Sequence, residues 1–161
     1  VVGFELYADS YSYFSACAPD LSQDYGNQAL LHYLGGSGAG GNYVQFRYGN
    51  NGQFFWYTGT GGTSVSKTSF GQINHPLFVV SGTAVGDGGV ANGYKNGELL
   101  GTGATSPNEQ TIDLSLFAYN GANGDDFVGF CPEIILYTSD QSANRTGIES
   151  NIADEYGITL P

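Results

Sequence analysis

The chain has 161 residues with 4 Lys+Arg against 15 Asp+Glu, which gives a formal net charge of −11 and a pI near 4.1. This charge argues against nucleic acid and anionic membrane surfaces as partners, because both are bound mainly through Lys and Arg. Hydrophobic residues make up 40% and aromatic residues 14% of the chain, so it is not a disordered acidic tail. We expect one globular domain over residues 1–161, and the missing Met predicts a processed chain or part of a longer polypeptide.

Short runs rich in β-branched and aromatic residues recur between clusters of Gly, Asn, Asp and Ser, a pattern typical of a sandwich or barrel. The 26 Gly residues follow no collagen-like period and therefore indicate many tight turns. The predicted strands in chain order are residues 1–7, 11–17, 29–33, 42–48, 53–58, 64–69, 77–80, 89–95, 98–101, 111–118 and 127–137. The predicted fold class is all-β.

The dipeptide Asn96-Gly97 gives the clearest local signal. It stands between two predicted strands and readily takes the positive φ angles of a two-residue type I′ turn, so we expect a hairpin tip there. Two Gly-rich stretches, 35–41 and 59–63, carry no P-loop Lys and open no predicted helix. We interpret them as connections between strands rather than as phosphate sites.

The pattern changes to a helical one after the last predicted strand. Ser139 or Asp140 is the expected N-cap, and Gly157 stands where a helix C-terminus favours glycine. One apolar stripe with helical spacing lies between them, formed by Ile148, Ile152 and Tyr156. This spacing predicts a single amphipathic helix that packs its stripe on the sandwich, because so short a helix is not stable alone in water.

Three segments resemble, in the same order, the concanavalin A-like or laminin G-like jelly rolls: PLFVVSG (76–82), GYKNGELLG (93–101) and FVGFCPEIILY (127–137). In that family they are a central strand, an Asn-Gly hairpin and a late strand that ends in a Tyr before a short helix. The tail 138–158 resembles the closing segment of such domains in bacteriophage virion proteins and bacterial surface proteins. The resemblance implies a two-sheet antiparallel jelly-roll sandwich with one short C-terminal helix, whose concave face or rim loops often bind glycans.

Carboxylates at catalytic spacing are missing from the sequence pattern. The β-glucanases that this fold resembles carry an alternating Glu-x-Asp-x-Glu strand, which does not occur here, and Glu109, Asp113 and Glu133 have the wrong spacing for a glycosidase pair. Polysaccharide lyases of this fold use a Gln-Ile-His signature, whereas residues 72–75 read QINH. Neither histidine of the chain lies near a nucleophilic Ser in a recognisable elbow. We therefore expect no enzyme activity.

Two loops carry clustered oxygen ligands of the kind that calcium prefers. The loop 120–126 contains Asn123, Asp125 and Asp126, and Asp87 lies in a second Gly-rich loop. The same residue types are also the usual turn formers, so turns without a metal are the alternative. The expected cofactor is calcium at these four residues, or none.

Aromatic side chains are concentrated on two successive predicted strands. Trp56, the only Trp, is followed by Tyr57, and Tyr43 shares a strand face with Arg47. Sugar sites stack an aromatic ring on a pyranose face and bond its hydroxyls with amides, Asp and Arg. These four residues are the predicted ligand-binding set. The alternative is that the rings fill the space between the sheets or pack on another subunit.

The two cysteines, Cys17 and Cys131, are far apart in the sequence. They predict either one disulfide, which suits an oxidising compartment, or two free buried thiols. Neither has a His or Cys neighbour at metal-ligand spacing, which argues against a zinc site.

Together these features predict a non-catalytic carbohydrate-binding, lectin-like or adhesion module that is displayed on a virion or cell surface. The expected partner is a glycan or cell-surface polysaccharide, with no nucleic acid and no membrane insertion, because no stretch approaches the roughly 18 apolar residues of a span. One alternative is a structural capsid-decoration, fibre or assembly domain that joins copies of itself or a virion scaffold. A glycan-active enzyme is a third, which requires two carboxylates together in the groove.

Overall fold

The computed structural model describes residues 10–20, 27–33, 42–47, 53–57, 64–65, 77–85, 89–104, 114–117 and 127–161. Within these residues the chain forms ten strands and one helix. They are β1 (Ser10–Pro19), β2 (Asn27–Tyr33), β3 (Asn42–Arg47), β4 (Gln53–Tyr57), β5 (Ser64–Val65), β6 (Phe78–Val85), β7 (Val90–Lys95), β8 (Glu98–Ala104), β9 (Leu114–Leu116), β10 (Gly129–Tyr137) and α1 (Arg145–Tyr156).

The strands form two five-stranded antiparallel sheets. The first has the order β10-β1-β6-β7-β8 and the second the order β5-β4-β3-β2-β9, so the chain crosses between the sheets several times. Strand β5 of the second sheet lies against β7 and β8 of the first. This arrangement confirms the predicted all-β, two-sheet jelly-roll sandwich with one short C-terminal helix.

The neighbouring strands β1 and β6 of the first sheet are buried on both faces, and they carry apolar or small residues at successive positions. One face holds a cluster that consists of Tyr13, Cys17, Phe78, Val80, Ala84 and Ala91. The other face is covered by α1 and holds a second cluster, which consists of Phe14, Ala16, Val79, Ile152 and Ala153. The predicted apolar stripe of the helix therefore does pack on the sandwich.

The helix begins later than predicted. Its first residue is Arg145, and Asn144 precedes it without a side-chain capping bond. Asp140 instead accepts a hydrogen bond from the Ser142 N–H, 2.9 Å away, and so caps a turn before the helix. Neither Ser139 nor Asp140 is the N-cap. In the part of the chain that the structure describes, no helix is long and apolar enough to cross a membrane.

The C-terminus of the helix agrees with the prediction. Gly157 has a φ of +63°, in the left-handed region, and its N–H donates to the carbonyl of Ala153. The N–H of Ile158 donates to the same carbonyl at 2.8 Å. This pairing closes the last turn and requires a residue that tolerates positive φ, as glycine does.

The Asn96-Gly97 hairpin is confirmed between β7 and β8, with φ angles of +47° and +86°. Strand β6 is longer than the predicted strand 77–80, because its small residues Ser81 to Ala84 pair with β1 on one side and β7 on the other. The predicted strand 1–7 lies outside the described residues.

Candidate functional site

The strand register aligns one polar row across the whole second sheet. Its members stand directly opposite one another on β5, β4, β3, β2 and β9, and they are Ser64, Tyr57, Tyr43, His32 and Ser115. Two tyrosines, a histidine and two serines thus occupy neighbouring register positions, each on a different strand. We call these five residues the polar row.

The next residue on each strand forms a second row, which is entirely apolar. Its members are Val65, Trp56, Val44, Leu31 and Leu116. Because successive residues of a strand belong to opposite faces, the polar row and this apolar row lie on opposite faces of the second sheet.

The register therefore divides the four residues predicted from the sequence to bind ligand. Tyr43 and Tyr57 are direct neighbours, and Arg47 lies on the same face, since it is four residues beyond Tyr43 on β3. Trp56 is opposite Val44 and belongs to the apolar row on the other face. The predicted set does not form one surface, because strand alternation separates Trp56 from its neighbour Tyr57.

The ligand-binding set predicted from the sequence did not include His32, which belongs to the polar row. It pairs with Tyr43 on one side and with Ser115 on the other. The partner Ser115 is distant in the sequence, and β2 contains a register irregularity between Ala29 and Leu31. Simple counting along β2 could not have assigned His32 to the row of Tyr43.

The four predicted calcium ligands, Asp87, Asn123, Asp125 and Asp126, lie outside the described residues. Over the ranges that are described, no group of three or more His, Cys, Asp or Glu side chains is placed to hold a metal ion.

Both cysteines have free thiols in this structure. Cys17 is fully buried in β1, while Cys131 on β10 is partly exposed. Burial raises the pKa of both thiols, and the effect is larger for Cys17.

A charged cluster joins α1 to the first sheet, which sequence reasoning did not predict. The Glu149 carboxylate is only 1% exposed, and it accepts hydrogen bonds from the Ser81 hydroxyl and from Nη1 of Arg145. The same guanidinium nitrogen lies 3.4 Å from the carbonyl oxygen of Gly97, and the guanidinium carbon lies 3.9 Å from the ring centroid of Tyr94. We call these five residues the helix clamp. The (i, i+4) spacing of Arg145 and Glu149 was the one local signal for it.

The helix clamp borders a cavity of about 270 Å³ between the hairpin tip and the C-terminal residues Leu160 and Pro161. Both oxygens of Glu149 are occupied, Oε1 by Ser81 and Oε2 by Arg145. A buried carboxylate that joins the helix to β6 and to Arg145 in this way positions the helix. We therefore assign a structural role to the helix clamp. The polar row is the candidate functional site.

No protein-family model and no curated protein matches this sequence. Solved structures share its fold. The CBM40 of the Ruminococcus gnavus IT-sialidase, bound to alpha2,3 sialyllactose, has a TM-score of 0.61 at 12% identity and covers 89% of this chain and 84% of that one. The Trypanosoma rangeli sialidase in complex with 2,3-difluorosialic acid has a TM-score of 0.62 at 16% identity and covers 89% of this chain and 23% of that one.

A native heptameric SAP-like pentraxin from Limulus polyphemus is also similar, with a TM-score of 0.52 at 9% identity, over 86% of this chain and 68% of that one. The carbohydrate-binding module and the pentraxin are both jelly-roll sandwiches. At these identities the similarity establishes the fold, in agreement with the two sheets described above.

Proposed function

We propose that this chain is a non-catalytic carbohydrate-binding module that holds its glycan on the face of the second sheet with the polar row. The observation that carries the proposal is the register that makes Tyr57, Tyr43 and His32 neighbours on three adjacent strands. Aromatic residues are the residue types that stack on pyranose rings, and Ser64 and Ser115 at the two ends of the row are of a type that bonds sugar hydroxyls.

The apolar row on the opposite face supports this choice. An antiparallel sheet commonly packs one face on a core and leaves the other to water, with apolar and polar residues alternating along each strand. Trp56 and Val44 fit the core-facing set by this criterion, whereas Tyr43 and Tyr57 fit the wet set. We accordingly assign Trp56 to the core and remove it from the proposed ligand site.

Sialylated glycans are the first ligand class to test. The R. gnavus CBM40, which has the same fold, is described in complexes with alpha2,3 and alpha2,6 sialyllactose. A sialic-acid carboxylate needs a cationic partner, and this chain has only 4 Lys+Arg. Arg47 lies on the proposed face and pairs with Asn27 and Gln53, so it is the residue we propose for the carboxylate.

The test is a glycan array followed by calorimetry with sialyllactose and lactose. Tyr43→Ala or Tyr57→Ala is expected to weaken binding about tenfold through lost stacking. Arg47→Gln is expected to weaken sialyllactose more than lactose, because only the former carries a carboxylate. Trp56→Phe is the matched control, and we expect its binding to equal that of the unaltered protein.

Two results would contradict the proposed binding site. One is an array without any bound glycan, obtained with protein that melts in a single cooperative transition. The other is a loss of binding in Trp56→Phe that Tyr43→Ala does not share, since this would move the site to the apolar face. Release of free sugar from sialyllactose would contradict the non-catalytic assignment.

Calcium remains part of the proposal at Asp87, Asn123, Asp125 and Asp126. The array and a thermal melt are run with calcium and again with a chelator. A higher melting temperature in calcium that is lost in Asp125→Asn together with Asp126→Asn supports the site. Equal melting temperatures in both conditions contradict it.

A second candidate function is assembly, with display on a virion or cell surface as the proposed location. Large apolar side chains are exposed among the described residues, most of all Phe130 at 63% and Leu99 at 57%. The heptameric pentraxin of the same fold shows that such a sandwich can assemble into a heptamer. Light scattering distinguishes the two functions. A stable multimer that dissociates in Phe130→Ser favours the assembly function, and a monomer that binds glycan favours the carbohydrate-binding module.

A further inference from the structure

We propose that Cys17 and Cys131 form an intramolecular disulfide, which joins β1 to β10 when the protein meets a disulfide oxidant such as oxidised glutathione. The modification is independent of the proposed glycan site, since both cysteines belong to the first sheet. It rests on three features: the register of the two strands, the face on which both thiols lie, and the hydroxyl between them.

The register places the two cysteines opposite each other. The pairing of β1 with β10 shifts between Ala16 and Ala18, where Cys131 and Pro132 together stand opposite Cys17. Two residues opposed to one form a β-bulge. The regular antiparallel pairs on either side of the bulge have Cα atoms roughly 4.5–5.5 Å apart, and a disulfide spans roughly 4.4–6.8 Å.

The bulge also brings Cys131 onto the same face as Cys17. Ile134 and Leu136 of β10 pack against the buried cluster that contains Cys17, and strict alternation from them would reach Pro132 rather than Cys131. The extra residue of the bulge changes this parity, and Cys131 packs against that same cluster. Cys17 therefore lies within this cluster and Cys131 packs against it.

The Ser15 hydroxyl connects the two thiols. It donates to the carbonyl of Glu133 at 2.9 Å, and its oxygen lies 3.3 Å from Sγ of Cys131. The hydroxyl and the Cys131 thiol each carry a single hydrogen, and either group can donate in that second contact. Burial raises the pKa of Cys17, the nearby Cys131 raises it further, and a hydrogen bond with Ser15 opposes this rise. One side chain thus acts on both sulfur atoms.

The exchange proceeds in two steps that start at the more accessible thiol. Cys131 loses its proton and attacks one sulfur of oxidised glutathione, so that a mixed disulfide forms and one glutathione thiolate leaves and is protonated. Cys17 then loses its proton and attacks Sγ of Cys131, and the second glutathione leaves in the same way. Two protein S–H bonds become one S–S bond, and one oxidised glutathione becomes two reduced molecules.

The experiment uses the whole chain, first reduced and then incubated with oxidised glutathione, blocked with iodoacetamide and digested with trypsin. Cys17 falls in fragment 1–47 and Cys131 in fragment 96–145. This is because trypsin cleaves after Arg47, Lys67, Lys95 and Arg145. We expect mass spectrometry to find these two fragments linked, and to find them separate and alkylated when dithiothreitol precedes the blocking step.

A thermal melt gives the second readout. The crosslink closes a long loop, so the oxidised protein is expected to melt on the order of 5–10 °C above the reduced one. Cys131→Ala, altered at a partly exposed position, is the matched control and should melt at one temperature in both conditions.

Three results would overturn the proposal. One is two alkylated fragments after prolonged oxidation. The second is a linkage found only in dimers on a non-reducing gel, and the third is a thermal shift that Cys131→Ala retains. The fragment masses come from the unaltered chain, so the test does not depend on the folding of a variant. Glycan binding is measured on the reduced protein, which separates this result from that of the proposed function.

Discussion

Arg145 and Glu149 show at the scale of single residues how one ion pair fixes an element. The Glu149 side chain is almost fully buried, whereas the Arg145 side chain is 18% exposed and its guanidinium also lies over the Tyr94 ring. A buried charge that loses its partner is costly, because nothing replaces the water it gave up. Removal of either partner therefore has a different cost. Without Arg145, the buried Glu149 carboxylate has no cationic partner, whereas without the Glu149 carboxylate the Arg145 guanidinium can still reach solvent.

We expect Arg145→Leu to lower the free energy of unfolding by about 3–5 kcal/mol, the usual cost of an unpaired buried charge. Glu149→Gln, which keeps the volume and an acceptor for Ser81, is expected to cost about 1–2 kcal/mol. Urea unfolding measures both. If Glu149→Gln lowered the free energy of unfolding as much as Arg145→Leu or more, the buried carboxylate would not be the partner that needs the ion pair.

At the scale of an element, the C-terminus of the helix could be predicted from the sequence and its start could not. Its C-terminus follows from Gly157, because a positive φ is a local requirement that glycine meets. Its start depends on Ser12 of β1, whose hydroxyl donates to the carbonyl of Ser139 and accepts from the N–H of Gln141, at 3.2 and 2.9 Å. These contacts hold residues 139–141 outside the helix, and no pattern within the helix could reveal them.

Two glycines of this element give a matched pair of variants. A Cβ at Gly147 or at Gly157 meets no atom within 4 Å, so steric clash contributes to neither substitution. Gly147→Ala is expected to stabilise the protein by about 0.5–1 kcal/mol, since alanine favours a helix and has fewer unfolded conformations. Gly157→Ala is expected to destabilise it by about 1 kcal/mol because of its positive φ. Urea unfolding of both variants measures the change in the free energy of unfolding. Two changes in the same direction would contradict this account.

The net charge of the whole molecule affects how fast a charged ligand reaches the candidate site. A net charge of −11 repels anionic ligands at long range, and salt screens this repulsion over about 8–10 Å. We expect the association rate for sialyllactose to increase as salt is raised from 10 to 150 mM, on the order of twofold, while that for lactose stays constant. Stopped-flow or surface-plasmon measurements test this, and a rate that falls with salt would show that local attraction by Arg47 dominates.

Local chemistry in the sequence was sufficient for the fold class, the Asn96-Gly97 hairpin and the C-terminus of α1, because turn residues and strand alternation act over a few neighbouring positions. The same alternation already placed Tyr43 and Arg47 together on one strand face. What remained open was which strands become neighbours, since that depends on contacts between residues far apart in the chain.

The pairing of strands therefore decided the composition of the candidate site. It joined His32 to Ser115, aligned Tyr57 with Tyr43, and left Trp56 on the apolar face. It also set Cys17 opposite Cys131 across a bulge that no local pattern announces. Hydrogen bonding between distant strands sets these neighbours, and a shift of one residue in register would move each side chain to the other face.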